Sequence, residues 1–172
     1  MVLFMKIIIH DLDGREAELP GRDQDGSTVV ISDNGGIRKC IGCFGCWIKT
    51  PGKCVLKDGY ENMGELLAGC DRLVVVSRCV YGSYSPFVVN VLNRSISYLL
   101  PYFSTKNGET HHRNRYDNKF SLSVHFYGED ITETEKETAR KLVAANSVNL
   151  YSIDNKVYFY NSVQAAVKEA LK

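Results

Sequence analysis

Residues 73–95 read LVVVSRCVYGSYSPFVVNVLNRS, and this stretch decides the architecture. Its opening apolar run is short and rich in Val, which suits a strand buried on both faces of a parallel sheet, so 72–77 is read as a central strand. Gly82 and Ser83 break the run. Pro86 then opens a helix at the first-turn position, where a proline loses no internal hydrogen bond, and Phe87, Val88, Val91, Leu92 and Leu99 form its apolar side. Strand, tight turn and amphipathic helix in succession are the unit of an α/β fold.

Working outward, the same unit recurs. Apolar runs predict strands at 4–9, 28–32 and 120–126, and a fifth at either 148–151 or 157–160. Between 60 and 70, Met63, Leu66, Leu67 and Cys70 recur at helical spacing. Thr132 with Glu135 makes a capping box for a helix to about residue 145, and Ser162 caps a last helix that stacks Val163, Ala166, Val167, Ala170 and Leu171. Strands alternating with helices imply a doubly wound parallel sheet, with ligands bound beyond the carboxyl ends of the strands. One segment departs from the pattern. Residues 10–26, HDLDGREAELPGRDQDG, contain Pro20 and three glycines and are too broken for a full crossover helix, leaving at most two turns near 15–19.

The chain has 172 residues against about 150 per domain, and is read as a single domain spanning 1–172. Lys plus Arg total 21 and Asp plus Glu total 20, a balance that leaves no broad electrostatic footprint for nucleic acid or an anionic membrane. No apolar run approaches the roughly 20 residues of a membrane helix. The opening MVLFMKIIIH carries a lysine inside its apolar stretch and no small-residue cleavage pattern, so the reading is a cytoplasmic protein whose six cysteines stay reduced.

Four of those cysteines are crowded together. Cys40, Cys43, Cys46 and Cys54 read C-x2-C-x2-C-x7-C, with Gly42, Gly45 and Gly52 among them. Such spacing brings three thiolates within reach of one corner of an iron-sulfur cube, with a fourth to close a 4Fe-4S cluster. Redox-active or structural free thiols are the second reading, and zinc, which usually takes two separated C-x2-C pairs, the third. Cys70 continues a helical apolar stripe and reads as core. Cys79 lies just past the third strand, where core and site readings both stand.

The cysteine run followed by Asp58, then a helix, then the strand leading into Val80, Tyr81, Gly82 and Ser83, resembles the NAD(P)H-dependent flavin mononucleotide (FMN) reductases of the flavodoxin-like superfamily, particularly the iron-sulfur flavoprotein branch. The resemblance covers roughly residues 27–171. It implies a five-stranded parallel sheet in flavodoxin-like order 2-1-3-4-5, a homodimer or homotetramer, and FMN at the carboxyl edge of the sheet. Val80, Tyr81, Gly82 and Ser83 are the positions it carries over to the isoalloxazine ring, with Tyr127 and Gly128 on a second edge. A glycine lets backbone approach a flat ring and an aromatic can stack on it.

The resemblance also makes a departure visible. Family members follow the first strand with a Ser/Thr- and Gly-rich loop and a helix whose amino end holds the flavin phosphate. Here that place reads His10, Asp11, Leu12, Asp13, Gly14, Arg15, Glu16, whose acids repel a dianion. The nearest basic alternative is His111, His112, Arg113 and Arg115, expected on a loop upstream of the fourth strand. The leading expectation is a flavin-dependent electron-transfer oxidoreductase with a cysteine cluster beside its Tyr-Gly-Ser loop. A reduced nicotinamide or ferredoxin delivers electrons, the cluster passes them singly to an acceptor, and His10 and His125 are candidates to tune the potential. The alternative is a flavodoxin-like protein that has lost FMN and acts as a metal- or thiol-bearing binding module or scaffold.

Overall fold

The computed structural model describes residues 4–13 and 27–172. The first-crossover reading at 15–19 lies outside them. A five-stranded parallel sheet is built from β1 (Lys6–His10), β2 (Thr28–Ile31), β3 (Arg72–Arg78), β6 (Ser121–Tyr127) and β7 (Asp154–Tyr160), in the order β2-β1-β3-β6-β7. Counted over the sheet alone this is the 2-1-3-4-5 order. The helices are α1 (Gly45–Ile48), α2 (Met63–Ala68), α3 (Pro86–Arg94), α4 (Glu133–Leu150) and α5 (Val163–Ala170).

Alternation of side chains along the strands divides the core in two. Ile7, Ile9, Leu73, Val75, Leu122, Val124 and Phe126 face α2, α3 and α4. Ile8, Val74 and Val76 face Ala166, Val167 and Ala170 of α5. Strands covered on both faces explain the unbroken apolar runs. The caps are those expected: Ser85 accepts from the Val88 amide ahead of Pro86, Thr132 and Glu135 close a capping box, and Ser162 accepts from the Ala165 amide.

One open choice is settled and three expectations are corrected. The fifth sheet strand is Asp154–Tyr160, and 148–151 is no strand, because α4 continues to Leu150 on the buried stripe Ala139, Val143, Ser147, Leu150 and stops at Tyr151 in the left-handed conformation. The helix expected over 60–70 is confined to Met63–Ala68. The helix expected to reach Leu99 ends at Arg94, where the Ser95 hydroxyl donates back to the Val91 carbonyl and a 3-10 turn, Ser95–Tyr98, follows. Leu99 instead begins a hairpin of β4 (Leu99–Lys106) and β5 (Glu109–Asn114), so His111, His112 and Arg113 stand on a strand rather than a loop. Its turn is Asn107-Gly108, with φ 51° and 83°, the left-handed pair a two-residue hairpin requires.

Candidate functional site

At the carboxyl edge, β1 gives way to Asp11, β3 to the turn Val80–Ser83, and β6 to Gly128. Val80 and Ser83 exchange both backbone hydrogen bonds at 2.9 Å, and Tyr81 (φ 52°) and Gly82 (φ 77°) fill the turn between them. The Cys79 amide donates to the Tyr127 carbonyl (2.9 Å), which joins this turn to the end of β6. A wide cavity of about 710 Å³ lies here, walled by Val80, Tyr81, Tyr127, Phe87 and Cys79. Tyr127 and Gly128 also line a neighbouring cavity of about 600 Å³. Gly82 and Ser83 are in the turn but not in either wall. The space beside Gly82 belongs to α4, since a Cβ there would sit 2.7 Å from the Thr138 Cβ. Tyr81 is 89% exposed, a free aromatic face at the rim.

The charge of this crevice is acidic. Among the described residues, Asp11, Asp13, Asp33 and Glu135 line it together with the guanidinium of Arg78. Asp11 sits at the switch point itself: its carboxylate accepts from the Arg78 amide (2.9 Å) and the Tyr127 hydroxyl (3.1 Å), so the end of β1 is tied to β3 and β6 by the chain's own anion. His10 is buried with its Nδ1 accepting from the Leu12 amide (3.2 Å); burial lowers its pKa, opposed by Asp11, so the ring is neutral.

The thiols form a second site. Cys40, Cys43, Cys46 and Cys54 all line one cavity of about 530 Å³, together with Phe44, Trp47, Arg94 and His112. Cys46 is buried on α1, Cys54 is half-buried, and Cys40 and Cys43 are exposed. Burial raises the Cys46 pKa, and the thiols of Cys54, Cys40 and Cys43 add to the effect. Among the described residues no group of three or more His, Cys, Asp or Glu side chains converges to hold a metal ion. The sulfur donors therefore share a wall without being closed into a coordination shell.

What holds this loop is a buried ion pair that spacing did not point to. Arg94, the last residue of α3, grips Asp58 with both terminal nitrogens (Nη1 to Oδ2 2.8 Å, Nη2 to Oδ1 3.0 Å). The same nitrogens donate to the carbonyls of Arg38 (2.9 Å) and Leu56 (3.1 Å), which bracket the cysteine segment. The Arg94 hydrogen bonds hold the Asp58 carboxyl far below the ordinary carboxylate range. Trp47 donates from Nε1 to the Leu99 carbonyl (2.9 Å), and its ring packs on His112 (4.9 Å between centroids), which packs on Phe103 (4.6 Å). The visible hint in the sequence was Arg94 itself, a charge one turn after Val91 on a helix that is otherwise buried there.

Three placements differ from expectation. The thiols are not beside the Tyr-Gly-Ser turn. Their cavity is lined by Asn93, Arg94 and Asn146 near the carboxyl ends of α3 and α4, whereas the acidic crevice is lined by Pro86 and Glu135 near the amino ends. Glu135 and Asn146 are 11 residues apart on α4, a separation of roughly 16 Å at 1.5 Å per residue. The basic patch is spent on the hairpin's surroundings: His111 bonds Asn149 (2.8 Å) and Glu109 (3.1 Å), and Arg115 donates to the carbonyls of Ser97 (3.2 Å) and Leu99 (3.3 Å). His125 belongs to neither site and lies under the α5 face. Cys70 is core, as read, with burial pushing its thiol up to about 12. Cys79 is half-buried in the wall of both carboxyl-edge cavities.

No family model and no curated protein matches the chain. Solved structures do. An azoreductase from Bacillus anthracis aligns over 97% of this chain and 97% of its own, with a TM-score of 0.57 at 11% identity. An NAD(P)H:quinone oxidoreductase from Methanothermobacter marburgensis aligns over 97% and 95%, with a TM-score of 0.53 at 11% identity. An NADPH-quinone reductase from P. pentosaceus aligns over 98% and 94%, with a TM-score of 0.50 at 10% identity. At such identities the likeness establishes the fold, which is flavodoxin-like, as the resemblance implied. Among the described residues no helix is long and apolar enough to cross a membrane.

Proposed function

We propose that the protein is an electron-transfer oxidoreductase that takes up FMN at the carboxyl edge of its sheet and passes electrons from NAD(P)H to a small-molecule or protein acceptor. The observation that carries this reading is the open crevice at the β1/β3 switch point, bounded by the Val80–Ser83 turn and Tyr127, in a fold shared with an azoreductase and two quinone reductases. A bound flavin would supply the hydride and single-electron chemistry. Val80 and Tyr81 would present the wall of the turn and an exposed aromatic face to its ring, with Gly82 and Ser83 shaping that turn and Tyr127 and Gly128 on the other side. The buried, neutral His10 beneath the crevice adds no charge of its own.

The residues fit the ring end of FMN and not its phosphate. A carboxylate about 6 Å from one phosphate charge costs roughly 3 kcal/mol at an effective dielectric near 20, about a hundredfold in affinity. Asp11, Asp13, Asp33 and Glu135 are the carboxylates that line this crevice. The flavin is accordingly a dissociable ligand here, and riboflavin binds at least as well as FMN. The test is quenching of flavin fluorescence on titration with each. Asp11→Asn should tighten FMN by up to about a hundredfold while leaving riboflavin nearly unchanged. Absence of quenching with either flavin, in wild type and variant, removes the flavin reading.

The acidic crevice favours a second reading in that case: a flavodoxin-like protein without FMN that acts as a thiol- or metal-bearing binding module. Under both readings Cys40, Cys43, Cys46 and Cys54 are the positions that would hold a 4Fe-4S cluster, which would pass electrons singly. Iron and sulfide analysis after anaerobic reconstitution tests this, and neither element binding retires it. The partner we propose is a second copy of the chain, as homodimer or homotetramer in the cytoplasm; Ile41, Ile48 and Phe103, 74%, 77% and 61% exposed, are the side chains it has to cover.

A further inference from the structure

The α5 face of the sheet is not apolar throughout. β6 turns Leu122, Val124 and Phe126 toward α3 and α4, so Ser123 and His125, between them, face the α5 side. In register Ser123 stands between Val74 and Lys156, and His125 between Val76 and Tyr158. Ala166, Val167 and Ala170 of α5 cover Ile8, Val74 and Val76. Over the β6–β7 half remains a polar cavity of about 350 Å³, walled by Arg72, Ser123, His125, Lys156 and Tyr160 among others.

Two groups in that wall are buried without use. Ser123 is 9% exposed and His125 3%. Neither the Ser123 hydroxyl nor the His125 Nε2 has a hydrogen-bond partner among the described residues. A buried polar atom left unpaired is costly, and one strand carrying two of them at consecutive inward positions calls for an explanation. The histidine is held firmly, its ring packed against Tyr158 (4.9 Å between centroids) and Tyr160 (5.8 Å), with Nδ1 at 3.2 Å from the Tyr160 hydroxyl. Burial, then Arg72 and Lys6, lowers its pKa to about 4, so the ring is neutral at physiological pH. When the Tyr160 phenol donates to Nδ1, the ring proton sits on Nε2, where it meets no acceptor among the described residues. Among the described residues, Arg72 and Lys156 form no ion pair. The acids of this wall are Asp154, at the exposed start of β7, and Glu169, which is paired with Lys172 (2.7 Å).

We propose that this cavity binds a small oxyanion, the carboxylate or phosphate group of a metabolite, which accepts from the Ser123 hydroxyl and the His125 Nε2–H and is charge-balanced by Arg72 and Lys156. Arg72 meets two oxygens at once and Lys156 serves as a point charge. The site lies on the α5 side of the sheet and does not depend on whether flavin binds.

The experiment is a titration of the full-length protein, labelled with ¹⁵N at histidine, with inorganic phosphate and separately with acetate, against sodium chloride at matched ionic strength. The expected result is a saturable shift of the His125 ring resonances with one or both oxyanions in the millimolar range, and none with chloride; which anion binds tells phosphate from carboxylate. Ser123→Ala should weaken binding about threefold and the Arg72→Gln, Lys156→Gln double variant about tenfold or more. Ser123→Ala should also melt no lower than wild type, since it removes an unpaired buried hydroxyl. A shift that fails to saturate, is equally produced by chloride, or is unchanged in both variants overturns the proposal.

Discussion

The two ends of α3 are built on opposite principles. At its amino end, Ser85 and Pro86 open onto a wide crevice whose described lining carries Asp11, Asp13, Asp33 and Glu135 beside Arg78, held by a two-residue turn and by Asp11. At its carboxyl end Arg94 is enclosed, its guanidinium divided between Asp58 and two carbonyls, and the loop it ties down carries the thiols. An exposed acidic edge costs the fold little because solvent screens it, whereas a buried guanidinium persists because a carboxylate and two carbonyls pair its terminal nitrogens. The first region is free to set ligand preference by charge. The second is a structural clamp on which the reactive groups hang.

The comparison breaks most sharply at Arg94. Arg94→Met takes the bidentate partner from Asp58, leaving it the half-exposed Arg38 guanidinium (3.7 Å) and the Arg38 and Tyr60 amides, and should cost about 3 kcal/mol, read from urea unfolding followed by Trp47 fluorescence. A loss below about 1 kcal/mol would mean the clamp is dispensable. Asp58→Asn, which removes the charge left behind, checks a variant that fails to fold. The pH dependence has a definite sign. The Asp58 pKa is depressed in the folded protein, so the stability it contributes is fully present above the unfolded carboxyl value, about 4, and is lost as pH falls toward the folded value. Arg94→Met should flatten that acid limb.

A smaller effect sharpens the other end. Gly82 combines a φ of 77° with a Cβ position 2.7 Å from the Thr138 Cβ and 2.8 Å from the Glu135 carbonyl. Gly82→Ala therefore strains the turn and pushes on the first turns of α4, at about 1–3 kcal/mol. The thiol region should not notice. Thermal unfolding with circular dichroism, beside the reactivity of Cys40 and Cys43, separates the two, and a change in both would show the ends to be coupled.

How much of this was legible depends on the range of the contacts concerned. The run Leu73–Val76, Pro86 and the Thr132–Glu135 box are local signals, and β3, α3 and the start of α4 follow from them within a residue or two. The β4–β5 hairpin was also local, announced by Asn107-Gly108, but β5, ETHHRN, is too polar to look like a strand beside the Val-rich runs. Val148 and Tyr151 favoured a strand, and the buried stripe of α4 overrode that preference. The thiol clamp rests on pairs 36 to 56 residues apart, Arg94 with Asp58 and with the Arg38 carbonyl, and no spacing rule reaches that far. Cysteine spacing therefore indicated that four thiols would gather, but not at which end of the helices.

The smallest expected effect is kinetic and lies within the thiol loop. Cys40 and Cys43 are exposed, while burial and the neighbouring thiols raise the pKa of Cys46, and burial, with Asp71 adding to it, takes Cys70 to about 12. Because the thiolate is the nucleophile, a raised pKa and a closed surface slow alkylation together. Iodoacetamide labelling followed by mass spectrometry at neutral pH should modify Cys40 and Cys43 first, Cys46 later and Cys70 last. Arg94→Met should advance Cys46 toward the exposed pair, since the loop loses the bonds to the Arg38 and Leu56 carbonyls that brace it, and leave Cys70 where it was. If Cys46 instead reacts as fast as Cys43 in the wild type, the loop opens on its own, and the distinction between a clamped end and an open end of α3 fails at the one place where it has chemical consequences.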